Sequence, residues 1–150
     1  GKSYHPKSEI EFSEMEIGKG KCLRRGKDVA LVTIGTAGQT AVKVADKLQN
    51  EGFDVSVYDM IYVKPLDTKL LHDICSAHGQ IVTIEDNALQ GGFGSEVLEF
   101  VSDNGYNIKV KRFGIPDYFV MHGTQEELIK ECGYDADSVY EWIKKCCYNS

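Results

Sequence analysis

The sequence predicts an α/β fold, a three-layer sandwich with helices on both faces of a largely parallel sheet. Near-continuous apolar runs at 29–34 and 81–84 are what strands buried on both faces require. Segments with helical spacing fall between such runs, Ala41, Val42, Ala45 and Leu48 lying on one face opposite Lys43, Asp46 and Lys47. Strand and helix therefore alternate through the middle of the chain, and 150 residues suffice for one domain with a real core.

The elements follow in order. Residues 1–20 are polar, contain Pro6 and keep no period, so they read as a linker or strap from a preceding domain, with the domain itself at 21–150. A short strand at 22–25 is closed by the turn Gly26, Lys27, Asp28. The strand at 29–34 leads through Gly35, Thr36, Ala37 and Gly38 into a helix, where Thr36 and Gln39 match a capping box and Gly52 supplies the stop. A strand at 53–60 carries Val55 and Val57, and Lys64, Pro65, Leu66 and Asp67 start a helix striped by Leu70, Leu71, Ile74 and Cys75.

The strand at 81–84 delivers Glu85 and Asp86 into a polar loop, then Gly91, Gly92, Phe93, Gly94 and Ser95 open a helix with Val97, Leu98 and Val101 inward. Asn104 and Gly105 end it, and the alternation at 108–113 predicts an edge strand with one solvated, lysine-bearing face. A turn-rich stretch at 114–119 leads to His122 and Gly123. Thr124 with Glu127 forms a second capping box, and a last helix begins at Asp135 or Asp137 with Val139, Trp142, Ile143 and Cys146 on one face.

Charge and composition narrow the function classes. A net charge of -6 argues against a nucleic-acid partner, and the basic group Lys19, Lys21, Arg24, Arg25 and Lys27 reads as a solvated edge and turn. No run approaches the roughly 20 apolar residues that span a bilayer, so no membrane role is expected. Five cysteines without a Cys-x-x-Cys pair suggest reduced thiols in a cytosolic protein.

Ligands of such sheets bind beyond the carboxyl ends of the strands. Here those ends offer Thr36, the Asp59 region, 85–90 and the loop after Phe113. The glycine loop before Val97 is the natural anion site, since a helix N-terminus presents free N–H groups and a positive dipole. Gly92-Phe93-Gly94 begins the pattern G-x-G-x-x-G, but Val97 takes the third glycine position and a six-residue loop separates the motif from its strand. Glu85 and Asp86 point to opposite faces of a persisting strand, which favours a helix cap or an interface hydrogen bond over a paired acid–base role. His72 and His78, six apart, read as solvated, and Trp142 as core. His122 sits in a purposeful turn without an assignable nucleophile and orienting group.

Several motifs occur in one order: Glu16-Ile17-Gly18-Lys19-Gly20, Ile34-Gly35-Thr36, Val63-Lys64-Pro65-Leu66-Asp67, Thr83-Ile84-Glu85-Asp86-Asn87 with Gly91-Gly92-Phe93-Gly94-Ser95, and Ile115-Pro116-Asp117 with His122-Gly123. Together they resemble the C-terminal domain of the 1-deoxy-D-xylulose-5-phosphate synthases, within the transketolase superfamily. The resemblance implies a five-stranded mixed sheet whose first strand, at 22–25, is antiparallel. It implies a parent enzyme that joins pyruvate and glyceraldehyde 3-phosphate with loss of carbon dioxide, using thiamine diphosphate and magnesium. The family's cofactor, metal and phosphate-binding groups lie upstream, so the resemblance implies no catalytic, cofactor-binding or metal residue in this chain. It implies that Thr36, Glu85, Asn87, Gly91, Gly92, Gly94, Ser95 and His122 line a contact with the upstream domains of a homodimeric enzyme, in a bacterial cytoplasm or a plastid stroma. Two other readings stay open: a pyruvate dehydrogenase beta subunit, and an independent anion- or nucleotide-binding module using the loop at 91–95.

Overall fold

A computed structural model describes residues 18–85, 92–114, 124, 127, 130 and 133–148. Five strands form one sheet: β1 (Lys21–Arg24), β2 (Asp28–Thr33), β3 (Ser56–Asp59), β4 (His78–Ile84) and β5 (Lys109–Phe113), in the order β1-β3-β2-β4-β5. β1 runs antiparallel to β3, and every other pairing is parallel. Among the described residues the continuous helices are α1 (Ala37–Asn50), α2 (Thr68–Ala77), α3 (Phe93–Asp103) and α4 (Ala136–Ile143), the last continuing as a π-turn over Lys144–Tyr148.

The period of two along the central strands builds two cores. Val29 and Leu31 of β2 with Val82 and Ile84 of β4 face Ala41, Val44 and Leu48 of α1 and Val139 and Ile143 of α4. Their alternates Ala30, Val32 and Ile81 face Leu71 and Ile74 of α2 and Phe93, Val97 and Val101 of α3. Both faces of β2 and β4 are thus dry, which is why their sequences are apolar without alternation. β5 and β1 are the edges, and the exposed Lys109 and Arg112 keep the β5 edge charged.

Five side chains depart from the expected placement. Val44 rather than Val42 completes the buried stripe of α1, leaving Val42 at its rim. Leu98 is 39% exposed, because Phe93, Val97 and Val101 recur every four residues and Leu98 falls one position off their line. The π-turn inserts an extra residue into the last helix, so Cys146 turns outward and Cys147 turns toward the core. Trp142 is half-buried, packed edge-on against Phe113 with the Lys111 ammonium over its ring.

His78 is buried, not solvated. Its Nδ1 lies 2.8 Å from the Ile74 carbonyl, an acceptor only, so Nδ1 donates there. Nε2 lies 2.8 Å from Ser56 Oγ, which accepts the Gly26 N–H at 2.9 Å. The imidazole thereby ties the turn before β2 to β3 and the end of α2. His72 is exposed as expected, and its Nδ1 meets the Tyr106 hydroxyl at 2.7 Å.

Candidate functional site

The parallel register brings four strand ends to one edge. Thr33 is level with Asp59 and with Ile84, and Ile84 is level with Phe113. Beyond this line lie the turn at 35–36, the loop after Asp59, Glu85 and Gly114.

Glu85 organises the centre of the edge. Its N–H donates to the Phe113 carbonyl at 3.1 Å, carrying the β4–β5 ladder one residue past the strands. Its Oε2 accepts the Gly94 N–H at 2.8 Å. Gly92, at φ 108°, turns the chain into α3 and offers no side-chain cap, so a carboxylate from the neighbouring strand satisfies that helix's orphan donor and opposes its dipole. This is the helix-cap role expected of Glu85.

Close approach explains two glycines here. A Cβ on Gly94 would lie 2.9 Å from Thr83 Oγ1 and 3.0 Å from both Cγ and Cδ of Arg112. A Cβ on Gly114 would lie 2.8 Å from Glu85 Cγ and 3.1 Å from the Glu85 carbonyl oxygen. Arg112 finishes the cluster by donating from Nη1 to Ser95 Oγ at 3.0 Å. Beneath it the Thr83 hydroxyl is fully buried and makes no hydrogen bond among the described residues. Nothing local in the sequence marks Thr83 and Arg112 as partners of the glycine loop, because only the pairing of β4 with β5 under α3 brings them there.

Thr36 sits elsewhere. It holds αR geometry and its side chain makes no capping bond to α1, so the capping box with Gln39 does not form. The second predicted box does form: Thr124 Oγ1 accepts the Glu127 N–H at 3.1 Å while Glu127 Oε1 accepts the Thr124 N–H at 2.9 Å. Thr36 fails because a capping residue must hold non-helical φ and ψ and Thr36 does not. Thr36 instead lines an open cleft of about 620 Å³ with Leu23, Gln39, Val42, Lys43 and Asp59. Asp59 is engaged there, its Oδ1 accepting the Ile61 N–H at 2.9 Å.

The predicted site residues therefore divide. Glu85, Gly92, Gly94 and Ser95 meet at the start of α3, on the sheet face opposite α1, which Thr36 precedes. Asn87, Gly91 and His122 lie outside the described residues. Among the described residues no group of three or more His, Cys, Asp or Glu could hold a metal. The thiols of Cys75 and Cys147 are pushed up to about 11 by burial, and Cys22 and Cys146 are exposed.

Sheet order, the antiparallel first strand and the capped glycine loop define one class of domain. Residues 18–139 match the transketolase C-terminal domain family, and the chain belongs to that family. Among curated proteins it is 47% identical over 135 residues to the 1-deoxy-D-xylulose-5-phosphate synthase of Parabacteroides distasonis, covering 90% of this chain and 21% of that protein. The synthase of Phocaeicola vulgatus is 46% identical over 131 residues, covering 87% of this chain and 21% of that protein. Among solved structures, a split-gene transketolase described as an inactive beta4 tetramer superposes with a TM-score of 0.77 at 35% identity. That superposition covers 87% of this chain and 42% of the other. The chain spans about a fifth of the length of the curated relatives it matches.

Thiamine diphosphate and its magnesium do not fit the described residues of this edge. The edge carboxylates Glu85 and Asp59 each already accept a backbone N–H. At the Glu85–Gly94 pair the neighbours are a buried hydroxyl and an arginine bound to Ser95, and Asp59 shares its cleft with Thr36, Gln39 and Lys43. Among the described residues neither carboxylate therefore belongs to a divalent-cation donor set.

Proposed function

We propose that this chain is the non-catalytic C-terminal domain of a thiamine diphosphate-dependent 1-deoxy-D-xylulose-5-phosphate synthase, a cytoplasmic homodimer joining pyruvate and glyceraldehyde 3-phosphate with loss of carbon dioxide. Identity above 40% to such synthases over about nine-tenths of the chain is the observation that carries the reading. Residues 1–20 serve as the linker from the upstream domains and 21–150 as the domain they carry. The strand-end residues Thr36, Glu85, Gly92, Gly94 and Ser95, with Asn87, Gly91 and His122, line the contact with those domains. The hydrogen bonding at Glu85 supports a structural edge over a phosphate cradle: a carboxylate already occupies the α3 N-terminus, and a phosphate there would meet like charge. Calorimetry of this chain with thiamine diphosphate and magnesium is expected to show no saturable heat, and the chain is expected not to consume pyruvate. Saturable micromolar binding overturns the reading.

A further inference from the structure

Asp67 has two partners far apart in the chain. Its Oδ1 accepts the Leu70 N–H at 3.0 Å, the N-cap bond of α2. Its Oδ2 accepts the Gly20 N–H at 2.7 Å, across a separation of 47 residues. Both bonds are charge-assisted, the stronger kind. The backbone around them is pressed close. A Cβ on Gly20 would lie 2.7 Å from Leu70 Cδ2 and 3.3 Å from the Asp59 carbonyl oxygen, and one on Gly18, at φ +87°, would lie 3.0 Å from Pro65 Cγ. The Gly18-Lys19-Gly20 and Lys64-Pro65-Leu66-Asp67 motifs are therefore two halves of one contact. Lys19, between the two glycines, is exposed.

We propose that Asp67 is a clasp: one carboxylate oxygen starts α2, and the other fixes the path by which the chain enters the domain at Gly18. A helix cap alone needs only one oxygen and a local amide, and the second bond has no part in starting α2. The clasp holds the Lys19–Gly20 peptide closed against a protease, because cleavage requires that stretch to detach from the α2 turn. That the clasp sets the angle at which an upstream domain is carried rests on the function proposed above; the clasp itself does not.

Asp67→Ser separates the two arms. Serine caps a helix about as well as aspartate, but its single short hydroxyl cannot serve a local amide and also reach Gly20. Hydrogen exchange in this chain reads Leu70 and Gly20 individually, and trypsin reads cleavage after Lys19. In D67S we expect Leu70 to keep its protection, while Gly20 exchanges and Lys19 is cut about tenfold faster. An unchanged rate of cleavage after Lys19 overturns the clasp, whatever Leu70 does. A Gly20 amide that is unprotected in the unsubstituted chain also overturns it, and that measurement needs no variant to fold.

Discussion

Gly94→Ala tests whether the glycine loop exists for close packing. The added methyl would stand 2.9 Å from Thr83 Oγ1 and 3.0 Å from Cγ and Cδ of Arg112. Ordinary carbon contacts lie near 3.5–4.0 Å, so the overlap is roughly half an ångström or more on each side. Arg112 is exposed and can swing aside at the expense of its bond to Ser95. Thr83 cannot, because β4 is hydrogen-bonded to β2 on one side and β5 on the other. Overpacking costs about 1–3 kcal/mol, and the better helix propensity of alanine returns up to about 1 kcal/mol. The net loss is about 1–2 kcal/mol, a fall in Tm of roughly 3–6 °C for a chain of this size. Thermal melting by circular dichroism measures it. Gly79→Ala is the control, since nothing lies within 4 Å of its Cβ, and it is expected to leave Tm nearly unchanged. In the double variant Gly94→Ala/Thr83→Ala the clash partner is gone, so the combined loss should be smaller than the sum of the single losses. A Gly94→Ala chain as stable as the original, or strictly additive losses, would refute the packing account and return the loop to a binding role.

Two further outcomes are expected. Glu85→Ala leaves the Gly94 N–H without its acceptor and should cost about 1–2 kcal/mol in urea unfolding, while Glu85→Gln, which keeps an oxygen, should cost less; equal losses would remove the cap from the account. Tyr148 is pushed up to about 12 from 10.0, first by burial and then by Asp28, Cys147 and Asp54 nearby. Below pH 10 both states hold the proton, and between 10 and 12 the unfolded chain releases it first, so stability should fall as pH rises through that window. Part of that fall should vanish in Tyr148→Phe, and identical alkaline melting curves for the two chains would contradict it.

The order of strands and helices was legible in the residues because burial on both faces erases alternation in β2 and β4, and because α1 and α2 keep helical stripes. The resemblance of the ordered motifs led to the family that residues 18–139 match. The cap role of Glu85 could be read locally, from a carboxylate at a strand end ahead of a glycine-led helix.

Contacts between segments distant in the chain were not legible. The same Thr-x-x-Glu/Gln spacing caps at Thr124 and fails at Thr36, where the backbone is already helical. His78 became a buried link because Ser56, far away in sequence, arrives at its Nε2 and itself accepts the Gly26 N–H. Gly94 requires glycine because of Thr83 and Arg112 on two paired strands, and Asp67 acquires its second partner only when Gly20 is laid across the start of α2. Periodicity records which face of an element is dry, and that much the sequence by itself determined. Which atoms meet across two elements depends on register and approach distance, and only the tertiary structure decided them.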